Sequence, residues 1–357
     1  MSGRDGTSQA VWSEQATTPG AIDEALRALL HERHVRNTAF APARVLNLVA
    51  ITDREWRGEV ANRLERVGRH HPSRTIMCSV EAGRTTLDAT VSVAAPEEAA
   101  AESIALGSEH VEIDMGPGHL EHLDTIVDPL VVTDLTTVLW APHGHDDGIE
   151  ALCKVGQVVL IDSVEAPSMD EALQKATRWL QDFHVVDLSW LRSTPWRERI
   201  AMTFDPPAMR PELAKISGVT IRHHPESAVA GLLLVGWLAS RLEWVPTTLV
   251  RRHDSMYCRA RGKRQDVAIR LVPDDRLSTL GLSGITVETA SGMSLSLDRG
   301  PGGLQAVRRT RHGGESRWVV MGASRGEPGI LGDGIREALL RDRTYRPALA
   351  LACRLLS

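Results

Sequence analysis

The chain has 357 residues, 42% of them hydrophobic and 24% charged, a balance that suits a folded protein rather than a disordered one. At about 150 residues per domain, the length predicts roughly two domains. A net charge of −5 excludes the basic signature of a general nucleic-acid binder. Residues 85–153 hold fourteen Asp and Glu and no Lys or Arg, so all 37 arginines and four lysines fall elsewhere.

In chain order, Met1 to Pro19 is polar and rich in Ser, Thr, Gly and Gln, which predicts a flexible tail; it has no apolar run of the kind a secretory signal needs. Ile22, Leu26, Leu29 and Leu30 recur at helical spacing. Arg44 to Thr52 is a short apolar run suited to a buried strand, and Trp56 to Val67 returns to helical periodicity. Thr75 to Val80 and the alternating Leu87 to Val93 predict strands. Val111 to Met115 predicts another, ended by the turn Gly116-Pro117-Gly118. A helix over Leu120 to Leu130 and buried strands at Thr137 to Trp140 and Gln157 to Asp162 follow. Ser168 with Glu171 forms a capping box for a helix over Asp170 to Phe183.

The second half changes character. Leu188 to Thr203 and Pro211 to Ser217 predict helices, and Val219 to Arg222 a short strand. Ala228 to Ser240 is the longest apolar run, thirteen residues. A bilayer-spanning helix needs about 20, so this run reads as a buried helix. Strands separated by Gly-rich turns then run to Met321 as an antiparallel meander. Helices over Leu331 to Leu340 and Tyr345 to Leu356 close the chain. The expected fold class is α/β in the mixed α+β sense. A tail over 1–19 precedes an N-terminal α/β domain with a central sheet (20–185). A C-terminal α+β domain (186–357) has helices packed on an antiparallel sheet, with the boundary near 184–187.

Candidate chemistry is sparse. His143-Gly144-His145-Asp146-Asp147 offers two imidazoles and two carboxylates to a metal. Gly148 stands where a metallo-hydrolase pattern needs a further His, so the polar-loop reading is preferred. Gly116-Pro117-Gly118-His119 lacks the Lys and later Gly of a phosphate loop. His70-His71 and His223-His224 have no accompanying nucleophile. No Gly-x-Gly-x-x-Gly follows a strand, so no nicotinamide or flavin site is indicated. Cys78, Cys153, Cys258 and Cys353 are too far apart for a redox pair or zinc ribbon, and reduced cytosolic thiols are the default expectation. Arg251, Arg252, Arg259, Arg261, Lys263, Arg264 and Arg270 form a basic cluster that can meet phosphates or carboxylates. Strand alternation leaves open whether they share a face.

Several ordered strings carry a resemblance. They are Ala43-Arg44-Val45-Leu46-Asn47-Leu48, His71-Pro72-Ser73-Arg74, Asp187-Leu188-Ser189-Trp190-Leu191-Arg192 with Pro195-Trp196-Arg197, and Gly231-Leu232-Leu233-Leu234-Val235-Gly236-Trp237 running on to Leu242. In this order the sequence resembles the OpcA family, the glucose-6-phosphate dehydrogenase assembly proteins of actinobacteria and cyanobacteria; the Arg-for-Lys bias is similar to the actinobacterial type. The resemblance implies a cytoplasmic, non-catalytic protein without a cofactor. It would bind glucose-6-phosphate dehydrogenase and promote its active oligomeric state in the oxidative pentose phosphate pathway.

Partner contacts are expected among Arg44, Asn47, His71, Pro72, Arg74, Trp190, Arg192, Trp196 and Arg197. Arg74 has Asp88 as a conceivable internal partner, and the acidic stretch 85–153 is expected to face a basic surface. No nucleic-acid or membrane partner is expected. The alternative is an enzyme, either a metal-dependent hydrolase through His143 and His145 or a sugar-phosphate enzyme through the 251–271 arginines.

Overall fold

Leu46 to Thr52 and Ser73 to Val80 are buried at every position, which only a strand covered on both sheet faces requires. A computed structural model of the chain describes residues 7–36, 38, 40–42, 44–68, 72–96, 105–321 and 327–357. The chain divides into two units. One comprises residues 1–161, 182–186 and 331–340, the other 162–181, 187–330 and 341–357. The division is therefore not a single cut near 184–187: the helix Met169–Trp179 belongs to the second unit and residues 331–340 to the first.

The first sheet is built from β1 (Thr7–Glu14), β2 (Phe40–Pro42), β3 (Leu46–Asp53), β4 (Ser73–Val80), β5 (Asp88–Pro96), β6 (Ala105–Met115), β7 (Thr137–Trp140), β8 (Val158–Ile161) and β9 (His184–Asp187). The order is β1-β5-β6-β4-β3-β7-β8-β9, with β2 added alongside β6. The strands β6, β4, β3, β7 and β8 run parallel. Counted along the chain, these five lie in the order 3-2-1-4-5, the arrangement of a doubly wound dinucleotide-binding sheet. Its topological switch point falls between β3 and β7.

β1 corrects the flexible-tail expectation for residues 7–14. It pairs antiparallel with β5 from Thr7↔Pro96 to Glu14↔Ala89. An edge strand is held by backbone hydrogen bonds and needs no buried side chains, so its polar sequence gave no hydrophobic alternation. Met1 to Gly6 lie outside the described residues.

The second sheet contains β10 (Ile216–His223), β11 (Val245–Pro246), β12 (Val250–Arg252), β13 (Ser255–Arg261), β14 (Asp266–Pro273), β15 (Leu282–Thr289), β16 (Ser294–Gly300), β17 (Gly303–Arg309) and β18 (Glu315–Met321). Its order is β11-β13-β14-β10-β15-β16-β17-β18, with β12 beside β13. The meander is antiparallel as expected, except that β10 enters its middle parallel to β14. The strand begins at Ile216, so the helix expected over Pro211 to Ser217 shrinks to Arg210–Leu213.

The apolar helix Ala228–Leu242 is buried from Val229 to Ala239. Gly231 lets it approach the sheet, where an added Cβ would lie 3.0 Å from Leu271 and 3.5 Å from Ile221. Gly236 lies against the backbone of the C-terminal helix Tyr345–Leu356, where a Cβ would come within 2.2 Å of the Ala348 carbonyl oxygen. The helix thus lies between sheet and helix, which accounts for its apolar circumference. Among the described residues, no helix is long and apolar enough to cross a membrane.

Candidate functional site

In a sheet of this order, ligands bind beyond the carboxyl ends of the strands at the switch point. Here that position holds Asp53 at the end of β3 and the loop after β7, Pro142 to His145. The first strand-to-helix connection is Asp53-Arg54-Glu55-Trp56, a 3-10 turn leading into the helix Arg57–Gly68. A dinucleotide site needs glycines here, so that backbone N–H groups can reach the pyrophosphate. Instead, Trp56 stacks on His143 with ring centroids 4.9 Å apart. His145 Nε2 lies 3.0 Å from Asp53 Oδ1, and His143 Nε2 lies 3.8 Å from Glu59 Oε2. These side chains line the mouth of the crevice, with Trp56 still 42% exposed, and Asp53, Glu55 and Glu59 would repel a pyrophosphate.

The two candidate metal ligands belong to this lining. His145 adopts a left-handed conformation (φ 62°), and its carbonyl accepts the N–H of Ile149 in the following helix Asp146–Ala151. Among the described residues, no cluster of three or more His, Cys, Asp or Glu has a geometry that could hold a metal.

Four of the expected contact residues gather at the opposite, amino ends of β3 and β4. Arg74 Nε donates to Glu109 Oε2 at 2.6 Å, and Arg44 Nε donates to Glu109 Oε1 at 2.7 Å. Arg74 Nη1 also donates to the Leu130 carbonyl. Glu109 is 1% exposed. Its partnership with Arg74 replaces the conceivable Arg74–Asp88 pair, because Asp88 is taken by Arg84 at 2.5 Å. The Asn47 amide donates to the Val132 carbonyl and Thr137 Oγ1 and accepts the Val132 N–H. It thereby fixes the loop that feeds β7. The Pro72 carbonyl accepts the Val45 N–H. His71 and Ala43 lie outside the described residues.

The other four lie in the second unit and are buried. Asp187 closes β9 and caps the short helix Leu188–Arg192 through the Ser189 N–H. Its carboxylate also accepts the Ser163 N–H, the Ser163 hydroxyl at 2.5 Å and the Tyr345 hydroxyl at 3.1 Å. Burial, and then the nearby Asp162 charge, push Asp187 up to about 6 despite these donors. Burial, followed by the Asp187 charge, pushes the Tyr345 phenol well above its usual range. Arg192 pairs with Asp162 at 2.7 Å, both largely buried. The Trp190 indole N–H donates to Asp342 at 2.8 Å, and the Arg197 guanidinium lies 3.6 Å from the centre of its ring. Trp196 is 2% exposed.

Asn47, Arg74, Trp190, Arg192, Trp196 and Arg197 are thus saturated or enclosed within their own units. They organise the fold, and among the described candidates Arg44, Pro72 and, to a lesser degree at its side chain, Arg192 keep some exposure. Sequence reading missed Asp53, Trp56, Glu109, Asp162 and Asp342. For Asp53 the available signal was its place directly after the first parallel strand, where glycine would stand. For Glu109, Asp162 and Asp342 no local pattern announces a partner 30 to 150 residues away.

The acidic stretch is also less open than its composition implies. Asp88, Glu109, Glu112 and Asp114 are each matched by arginines from outside it, namely Arg84, Arg74, Arg44, Arg57 and Arg54. Glu97, Glu98 and Glu102 lie outside the described residues. Cys78 and Cys258 are buried, and burial pushes both thiols up to about 12, away from reactive thiolate. His223 is buried, with its ring Nδ1 2.7 Å from the His224 carbonyl oxygen.

Compared with known protein families, residues 64–178 match the glucose-6-phosphate dehydrogenase subunit N-terminal domain, and residues 183–349 match the corresponding C-terminal domain. Similar proteins include an OxPP cycle protein OpcA from Synechococcus elongatus, 25% identical over 246 residues, covering 67% of this chain and 53% of that one. One of the same name from Nostoc punctiforme is 27% identical over 164 residues, covering 45% and 35%. The chain spans about half or less of the length of these curated relatives. Among solved structures it is similar to the super-repressor mutant of Gal80p from Saccharomyces cerevisiae, at 8% identity, with a TM-score of 0.48 and coverage of 88% and 94%. That likeness is too distant to bear on chemistry.

Proposed function

The chain belongs to the OpcA family of glucose-6-phosphate dehydrogenase assembly proteins, and on that premise we propose that it is a non-catalytic factor that binds glucose-6-phosphate dehydrogenase. In this reading it promotes the enzyme's active oligomeric state in the oxidative pentose phosphate pathway, in the cytoplasm. The observation that carries the non-catalytic part is the switch-point crevice. The sheet order is that of a dinucleotide-binding domain, yet Asp53-Arg54-Glu55-Trp56, with His143 and His145 against it, stands where such a domain carries its glycine loop. The fold thus lacks, at that connection, the glycine loop by which a dinucleotide domain holds its pyrophosphate. No observation favours the hydrolase alternative, since His143 and His145 turn to different carboxylates.

An activator works only through a higher affinity for the active state than for the inactive one. A hundredfold activation from a rare active state needs about 2.7 kcal/mol of differential binding, within reach of a few desolvated anchors. The test is to add the protein to glucose-6-phosphate dehydrogenase from the same organism and follow NADPH formation and co-elution. A stable complex with a raised rate or tighter substrate binding supports the reading. Absence of both, or turnover of sugar phosphates by this protein alone, contradicts it.

A further inference from the structure

The second sheet is packed on one face and open on the other, and its register identifies the open side. Tyr257 sits opposite Arg270, then Thr220, Thr286, Ser296, Val307 and Arg317 follow strand by strand. The same parity places Arg252, Arg259 and Arg261 on this face, with Arg251 on the other. The alternation in β14, where Asp266, Ala268 and Arg270 are exposed between buried Val267, Ile269 and Leu271, agrees.

The two ends of this face differ in charge balance. Toward β18 the arginines are paired with carboxylates: Asp298 pairs with Arg222, and Glu315 is shared by Arg309 and Arg317. Toward β11 they are not. Among the described residues, Arg252, Arg259 and Arg261 have no carboxylate or ring partner. Arg270 lies over Tyr257 at 5.3 Å, a contact that leaves its charge uncancelled. Val245 and Val250, 55% and 53% exposed, sit among these arginines. At the same edge Lys263 is paired with Glu243 at 2.7 Å, so the free charge of this end is that of the arginines. Unpaired guanidinium groups interleaved with exposed valines and Tyr257 have the composition of a protein contact centre.

We propose that the β11–β14 end of this open face docks a carboxylate-rich surface of the dehydrogenase subunit, an inference that rests on the assembly-factor reading above. Charge complementarity selects the occupant: guanidinium forks pair bidentately with carboxylates. Exposed valines beside them suit a protein surface. A phosphate backbone would leave those valines without an apolar partner. Steering by these arginines raises the association rate and makes it sensitive to salt.

The experiment uses the full chain and the intact dehydrogenase. The triple variant Arg252→Glu, Arg259→Glu, Arg261→Glu is compared with a control of equal charge change at exposed positions off this face, Lys154→Glu, Arg276→Glu, Arg343→Glu. Unchanged circular dichroism and melting temperature establish that each variant folds. If the Glu variant fails that check, the Arg→Gln set at the same positions replaces it. The proposal expects affinity to fall about 10- to 100-fold in the face variant, mostly through slower association, with the control near wild type. Wild-type binding that survives in the face variant overturns the docking face and leaves the assembly-factor reading standing. A wild-type protein that does not bind the dehydrogenase at all overturns both. Capture of duplex DNA at physiological salt through these three arginines, without dehydrogenase binding, also overturns the proposal.

Discussion

Glu109 is one carboxylate shared by two arginines from neighbouring strands, and its own exposure is 1%. Removing it leaves Arg74 enclosed without an anion, which costs more than the pair contributed when formed. Glu109→Gln is expected to lower stability by about 3 kcal/mol, read as a reduced denaturant midpoint. An unchanged midpoint would show that the charges are solvated. Asp187 makes a different prediction, because its folded pKa of about 6 lies above the usual carboxylate value. The neutral form is favoured by the fold, so its stabilisation is complete below about pH 4 and is lost as pH rises through about 6. His110 and His223, which burial pushes down, act in the opposite sense over part of that window. The informative quantity is therefore the difference between wild type and Asp187→Asn. The variant is expected to be less stable by about 1–3 kcal/mol through lost acceptors, with the gap narrowing from pH 4 to pH 7. A gap that widens across that range would contradict the assignment.

At the scale of elements, the helix Ala228–Leu242 shows what the sequence could disclose. Its apolar circumference made a buried helix legible, and the capping box at Ser168 was equally legible, with the Glu171 N–H donated to the Ser168 hydroxyl. The buried strands β3, β4, β7 and β8 also followed from short apolar runs. Edge strand β1 did not, because backbone pairing leaves no trace in side-chain pattern. Nor did the parallel entry of β10 into the second sheet, since its neighbours β14 and β15 lie some 50 to 70 residues further along the chain. The site was less legible than the fold. Family-like strings such as Asp187 to Arg192 mark positions where the structure demands a particular side chain, and most of those side chains face inward. Gly236 is one such position. Gly236→Ala places a Cβ within 2.2 Å of the Ala348 carbonyl oxygen, so the C-terminal helix must shift. A loss of about 1–3 kcal/mol is expected from overpacking, measured by thermal melting, whereas the exposed Gly83→Ala loses less, by way of its positive φ alone.

The molecule as a whole combines a dinucleotide-type sheet, whose switch point carries acidic and aromatic side chains in place of a glycine loop, with a second sheet that has one open face. The acidic connection without a glycine loop predicts that NAD and NADP at millimolar concentration leave the melting temperature unchanged. A ligand binding the native state at a hundred times its dissociation constant would add about 2.7 kcal/mol, an easily seen shift that would contradict the reading. Net charge also takes on a different meaning at this scale. Four carboxylates of the acidic stretch, Asp88, Glu109, Glu112 and Asp114, are matched by arginines within their own unit, whereas Arg252, Arg259 and Arg261 on β12 and β13 have no such carboxylate among the described residues. The measurement that bears most directly on the central claim is sedimentation of glucose-6-phosphate dehydrogenase with and without this protein, with NADPH formation followed in the same samples. The account predicts a shift to a larger species containing both proteins and a higher rate at equal enzyme concentration. An unaltered sedimentation profile and an unaltered rate would contradict it.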